Sequence, residues 1–253
     1  MSHRKIIVIN DLHLPWHDPK AVEIVLDVAK QEQVDEIILN GDVCDMYGAS
    51  RYPASSLNMQ TTLEDELNAV KEFLIGLREM FPSQKVMFIM GNHEARLDKF
   101  IIEKCPELWN LFTLKVFCDF EKLKIDHIPY NSAYQVGKSN LFVQHSPPSY
   151  GENGARTSLL KKVDRSFIYG CTHRQQHATI TGGSNKVYHC WFNGWLGSVD
   201  LTEEHKTVFS YAKNNSNWQQ CFILIDLINE VDYHVKQVSI TDSRCVVNNI
   251  LYG

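Results

Sequence analysis

Ile6-Ile7-Val8-Ile9-Asn10-Asp11-Leu12-His13 is the stretch that decides the fold. Four consecutive β-branched residues suit a strand buried on both faces, and the run opens directly into a polar loop carrying Asp and His. The arrangement recurs. Ile37-Ile38-Leu39 leads into Gly41-Asp42-Val43-Cys44-Asp45, and Val86 to Met90 leads into Gly91-Asn92-His93-Glu94. Between these runs the period changes from strand to helix. Pro19 opens a segment with apolar residues at Val22, Val25, Leu26 and Ala29, and residues 59–80 carry Leu63, Leu67, Val70, Phe73, Leu74 and Leu77 on one side. Strands alternating with helices imply parallel pairing through right-handed crossovers.

The second half reads as shorter strands at Leu141–Gln144, Ser166–Tyr169, Ala178–Thr181, Val187–Phe192, Phe222–Leu227 and Tyr233–Val238. Helices are expected only at 154–163 and 95–114, with a hairpin turn at Asn229-Glu230. There is no Pro-, Gly- or Ser-rich linker and no internal repeat, so residues 1–253 are expected to form one domain. Its α/β first half should pack on a more antiparallel second half.

Composition narrows the classes. A chain of 253 residues with 44% hydrophobic and 22% charged residues can bury a core without staples, which excludes a disordered or fibrous protein. No apolar run approaches the roughly 20 residues that span a bilayer, and the N-terminus lacks a signal-peptide pattern. A net charge of −5 excludes a broadly cationic surface that would coat nucleic acid. Seven cysteines without a Cys-x-x-Cys pair argue for free thiols in a reducing compartment, so a cytoplasmic location is expected.

In an open α/β sheet the carboxyl ends of parallel strands share one edge, where ligands bind. The Asp, His and Asn residues after the three runs should therefore converge there. His145, after Leu141–Gln144, and Cys171-Thr172-His173, after Ser166–Tyr169, should join them. Carboxylate, imidazole and amide oxygen suit Mn, Fe, Zn or Ni. An Asp lying between two ions can bridge them, and Asp42 is central enough to do so. Two metals roughly 3.5–4 Å apart would generate a hydroxide at neutral pH and clamp a phosphoryl group.

Asp11-x-His13, Gly41-Asp42-x-x-Asp45, Gly91-Asn92-His93-Glu94, His145 and Gly170-x-Thr172-His173 resemble the motif order of the calcineurin-like metallophosphoesterase family. The stretches Asp11 to Asp18 and Gly91 to Leu97 look most like phage and prophage members. The resemblance implies a four-layer sandwich of two packed mixed β-sheets flanked by helices. It also implies two divalent metal ions and hydrolysis of phosphate mono- or diesters, with a nucleotide, nucleic acid or phosphoprotein as substrate and the host cytoplasm as the site of action. A DNA nuclease or end-processing phosphodiesterase is the alternative within that class, and a metal-poor binding scaffold the alternative outside it.

Residue by residue, the resemblance gives Asp11, His13 and His173 to one metal, Asn92 and His145 to the other, and Asp42 to both. His93 would contact the scissile phosphate and protonate the leaving oxygen, with Asp45 hydrogen-bonded behind it. One position departs from the family's G-H-x-H. Its first histidine, a ligand of the second metal, is here Cys171. The thiol either ligates a softer ion such as zinc or iron or is a buried bystander, in which case His177 and His189 are candidate replacements. Arg96 either meets a substrate phosphate or is a solvated helix-start arginine. Ser146 stands where many members have glycine. Tyr150 and Arg156, in the turn-rich segment after His145, are loop residues that could touch substrate. Trp191, Trp195 and Trp218 read as core or rim packing.

Overall fold

The computed structural model describes residues 2–50, 61–162, 164–183, 185–197 and 217–253. The chain runs β1 (His3–Ile9), α1 (Pro19–Gln31), β2 (Glu36–Asn40), α2 (Leu63–Met80), β3 (Lys85–Ile89), α3 (Glu94–Lys104), α4 (Leu114–Phe117), β4 (Ile125–Ile128), β5 (Tyr134–Gln135) and β6 (Leu141–Gln144). It continues through α5 (Gly154–Leu160), β7 (Ser166–Tyr169), β8 (Gln176–Thr181), β9 (Val187–Phe192), β10 (Cys221–Ile228), β11 (Asp232–Ser239), β12 (Cys245–Val247) and β13 (Ile250–Tyr252).

Two mixed sheets face each other. The six-stranded sheet has the order β11-β10-β1-β2-β3-β4, and the five-stranded sheet β5-β6-β7-β9-β8. In the first, β1 to β4 are parallel neighbours and β10 runs antiparallel to β1. In the second, β6, β7 and β9 are parallel, while β5 and β8 are antiparallel to their neighbours.

The apolar runs are continuous because each strand feeds two cores. From β1, Ile6 and Val8 join Ile38 and Ile89 against Val143, Ile168 and Trp191 of the other sheet. Ile7 and Ile9 point the opposite way, into the cluster that holds Val25 and Val28 of α1 and Val70 and Leu74 of α2. On the far side Phe167, Tyr169 and Phe192 pack with Ala155 and Leu159 of α5. Helices therefore cover both outer sheet faces, and the order is helix, sheet, sheet, helix.

Helix starts obey local chemistry. Asp18 accepts from Lys20 N at 2.9 Å and Ala21 N at 3.2 Å, with Pro19 at the first helical position. Thr62 and Asp65 form a reciprocal capping box, so α2 begins at Leu63 rather than at 59, and residues 59 and 60 lie outside the described residues.

Other expectations are corrected too. The helix expected over 95–114 ends at Lys104, because Pro106 lacks an N–H and pushes Cys105 out of helical conformation; a 3-10 turn and the short α4 follow. The helix expected over 154–163 ends at Leu160, and Val163 lies outside the described residues. The sheets do not divide between the two halves of the sequence: β10 and β11 join the first sheet beside β1, where β10 buries both of its faces. Asn229 and Glu230 make the expected turn, both at positive φ.

Candidate metal centre

β1, β2, β3, β6 and β7 release their motif loops at one end of the sandwich. Backbone bonds hold these loops together. Asp11 N donates to Gly41 O at 3.0 Å, His13 N to Asp42 O at 3.0 Å, and Gly170 N to His145 O at 2.9 Å. The two sheets are joined through a carboxylate: Cys171 N donates to Asp11 Oδ2 at 2.9 Å and Oδ1 at 3.1 Å. Asp11, His13, Asp42, Cys171 and His173 all stand at φ between 48° and 66°. Non-glycine residues avoid this region at a cost of about 1–3 kcal/mol each, and such strain gathers at functional sites.

Close approach explains the glycines. A Cβ on Gly41, itself at φ +78°, would lie 2.5 Å from His145 Nδ1, and one on Gly91 would collide with Asp42 Oδ1.

Among the described residues the side chains form three donor groups, one of which, His13, Asp45 and His93, shares His13 with the first of the two described next. Asp11, His13 and His173 make the first, with His13 Nε2 3.0 Å from His173 Nε2 and Asp11 Oδ1 3.3 Å from the same His173 nitrogen. Asp42, His145 and Cys171 make the second. There His145 Nε2 lies 3.2 Å from Asp42 Oδ2, and Asn92 Oδ1 lies 3.2 Å from His145 Nε2 and 3.1 Å from Cys171 Sγ. The thiol thus faces the second cluster. His177 and His189 are not brought here; they pair with each other between β8 and β9.

Behind the clusters Asp45 binds two imidazoles, with Oδ1 3.0 Å from His13 Nδ1 and 3.1 Å from His93 Nδ1. Burial works against its charge, but the histidine hydrogen bonds outweigh burial and hold Asp45 well below the usual carboxylate range. An ionised carboxylate only accepts, so both Nδ1 atoms carry the proton and both Nε2 lone pairs face the clusters. Arg96 fastens this corner by donating from Nη1 to Asp45 O at 2.9 Å and from Nη2 to His93 Nε2 at 2.8 Å. It is engaged, not solvated.

Burial pushes the charged form of His145 down, yet Asp42 beside it reverses the balance and raises its pKa well above the usual value. Burial, helped by the neighbouring His93 and His173, carries His13 downward against the pull of Asp45, and burial raises the Cys171 thiol against the pull of His145. Asp11, Asp42 and Asp45 are all buried. Three buried carboxylates converging at one place are costly unless cations compensate them. The donor set of carboxylate, imidazole, amide oxygen and thiol fits borderline divalent metals.

Sequence reading assigned no task to Glu94 or Asn10. The Glu94 carboxylate accepts from Gly91 N at 2.6 Å, Val43 N at 2.8 Å, Asp42 N at 3.0 Å and Cys44 N at 3.2 Å, which locks the second and third motif loops together. Asn10 donates to Asp11 Oδ2 and to the carbonyls of Asn193 and Gly194. Both sit inside the motif stretches, but only the folded contacts reveal what they hold. Trp195 stacks on His173 with centroids 5.0 Å apart, and Trp218 meets it edge-on at 4.4 Å. Tyr150 and Arg156 are exposed, and Ser146 is buried. No described helix is long and apolar enough to cross a membrane.

Comparison with known proteins agrees with this geometry. The chain is 25% identical to the Gene 54 protein of Mycobacterium phage L5 over 244 residues, covering 92% of this chain and 91% of that protein. It is 26% identical to the Gene 54 protein of Mycobacterium phage D29 over 233 residues, covering 88% of each. Vacuolar Protein Sorting 29 from Cryptosporidium parvum shares the fold, with a TM-score of 0.51 at 12% identity over 96% of this chain and 95% of that one. Residues 4–175, well over half of the chain and including every motif loop, match the calcineurin-like phosphoesterase family, and the chain belongs to it.

Proposed function

We propose that this protein hydrolyses phosphate mono- or diesters at a dinuclear divalent-metal centre. Asp11, His13, Asp42 and His173 would hold one ion, and Asp42, Asn92, His145 and Cys171 the other. The observation that carries this reading is the pair of adjacent donor clusters, Asp11-His13-His173 and Asp42-His145-Cys171, assembled from loops of both sheets. When bound, the two ions would supply a nucleophile from water at neutral pH and neutralise charge on the phosphoryl oxygens.

The protein's own groups do the rest. His93 N donates to Asp42 Oδ1 at 2.9 Å, while Asp42 Oδ2 lies 3.2 Å from His145 Nε2, so the carboxylate is held at both oxygens. Asp45 orients His93 through Nδ1, while Nε2 accepts from Arg96; Nε2 would deliver a proton to the leaving oxygen in its protonated form, with Arg96 turned to the phosphate. Arg96, already against His93 Nε2, is placed to take a non-bridging phosphate oxygen. No side chain is needed as a covalent nucleophile. The esters of nucleotides, nucleic acids and phosphoproteins share this reacting group.

The test is a panel of p-nitrophenyl phosphate, bis(p-nitrophenyl) phosphate and labelled single- and double-stranded DNA, with manganese, zinc or iron added. We expect metal-dependent turnover on at least one ester, lost on chelation and lost in Asp42→Asn. Absence of turnover on every substrate with every metal overturns the assignment. Near-normal turnover of Asp42→Asn with both metals bound would remove the bridging role.

A further inference from the structure

Outside the metal centre, β8 and β9 carry a second grouping of rings. His177 Nε2 lies 3.1 Å from His189 Nδ1, the ring centroids are 5.4 Å apart and the planes differ by 12°. That combination places the imidazoles edge to edge in nearly one plane, joined by an N–H···N bond. Both stack on Trp191, His177 at 4.9 Å and 3°, His189 at 5.0 Å and 15°. Trp191 is buried beneath them, while His177 is exposed and His189 half-buried. One face of each ring is covered by the indole, and both side chains keep part of their surface open.

The two imidazoles and Trp191 line a cleft of about 380 Å³, whose other wall is Tyr233, His234, Val235 and Gln237 of β11, in the other sheet. The size falls within the roughly 300–1,000 Å³ of small-ligand pockets. No Lys, Arg, Asp or Glu lines the cleft, so a charged ligand would find no counter-ion. Gln237 spends its Nε2 on Phe192 O at 2.6 Å, which turns its amide oxygen away from that carbonyl as an acceptor. Burial lowers the pKa of both histidines, which keeps the lone pair that their shared bond requires.

A metal ion fits this arrangement poorly. The nitrogens that face each other are spent on one another along the ring-to-ring axis. His234 also lines the cleft, yet among the described residues no third His, Cys, Asp or Glu donor completes a cluster here.

We propose that the His177–His189 plane over Trp191 is a stacking site for a neutral planar nitrogen heterocycle, a nucleobase, with Gln237 accepting from an exocyclic amine. Stacking tolerates every base, because each has a π-face. The base can belong to a free nucleoside or to a single strand. The site does not rest on the hydrolytic reading, since none of its residues belongs to the two donor clusters.

The test titrates the full chain, with chelator present, with adenosine, with ribose as control and with a short oligodeoxyadenylate, read by saturation-transfer NMR and by the histidine ring resonances. Adenosine should saturate through its base protons and shift both imidazoles, and ribose should do neither. His177→Ala with His189→Ala should weaken binding roughly tenfold or more. His177→Phe should keep it, because a ring suffices for stacking, and this variant also answers any misfolding of the alanine pair. Metal-dependent hydrolysis of p-nitrophenyl phosphate should be unchanged in all of them. An oligonucleotide that binds tighter than adenosine, and loses that advantage in the alanine pair, assigns the base to a strand; equal affinity assigns it to a free nucleoside. If adenosine moves neither imidazole, or the alanine pair binds as well as the parent, the proposal falls. It falls equally if zinc alone, added without chelator, shifts both rings while adenosine does not.

Discussion

Cys171 sets a thiol where the family motif carries an imidazole, and its Sγ lies 3.1 Å from Asn92 Oδ1 inside the second cluster. Exchange for histidine removes a soft, negatively charged donor, so Cys171→His should shift metal preference from zinc or iron towards manganese. Cys171→Ala should empty the second site and spare the first. Metal stoichiometry on the two variants checks this, and two tightly held ions in Cys171→Ala would make the thiol dispensable. Leaving-group dependence tests His93. His93→Asn should lose about 10²–10⁴-fold on alkyl esters and clearly less on nitrophenyl esters, because a nitrophenolate departs without a proton. Equal losses would leave His93 only a charge-binding role.

Glu66 offers a pH test that is independent of activity. Its carboxyl is buried on α2, takes Tyr47 N at 3.1 Å, and is raised by burial and by Asp45 from 4.5 to about 8. A carboxyl whose folded pKa is raised stabilises the fold fully below its unfolded value, and that contribution is lost as pH climbs through the folded one. Glu66→Gln should therefore match the parent near pH 5 and become progressively more stable than it up to pH 8, by a few kcal/mol. Thermal melts of metal-free protein at both pH values read this directly; a constant difference would mean that Glu66 ionises normally.

At the scale of elements, the loops matter more than the strands that carry them. Glu94, at the start of α3, ties three backbone N–H groups of the loop after β2 to Gly91. Glu94→Gln turns one of its two acceptor oxygens into a donor facing those N–H groups. It should cost about 2–3 kcal/mol in denaturant melts and weaken manganese binding as well, because Asp42 sits on the loop it releases. A stability loss with unchanged metal affinity would separate the fold from the site. The cap of α2 is expected to act on the fold alone. Thr62→Ala should cost about 1 kcal/mol and leave metal binding unaltered.

For the molecule as a whole, the carboxylates of the centre couple metal binding to folding. Ligand that binds only the folded state stabilises it by about 2.7 kcal/mol at a hundred times its Kd, so manganese should raise the melting temperature and chelator lower it. Asp42→Asn should lose stability without metal, because His145 loses its partner, and should forfeit the manganese-dependent gain as well. Scanning calorimetry with and without manganese reads both, and an undiminished manganese shift would remove Asp42 from the ligand set.

Local sequence determined the parallel strands, their burial on both faces and the donor residues at their ends, since a continuous apolar run, a turn glycine and a metal-donor side chain are readable within a dozen residues. Glu94 and Arg96 lay in plain sight beside a motif, but the loop after β2 that they hold is 50 to 52 residues away. Only the tertiary structure decided that β10 and β11 complete the first sheet, because a buried apolar run fits any sheet edge that would cover both its faces. It likewise decided that Cys171, 160 residues from Asp11, binds that carboxylate through its backbone and faces the second cluster with its thiol. The left-handed backbone at Asp11, His13, Asp42, Cys171 and His173 runs against local preference. Hydrogen bonds between distant loops hold it there, and no short stretch of chain specifies it.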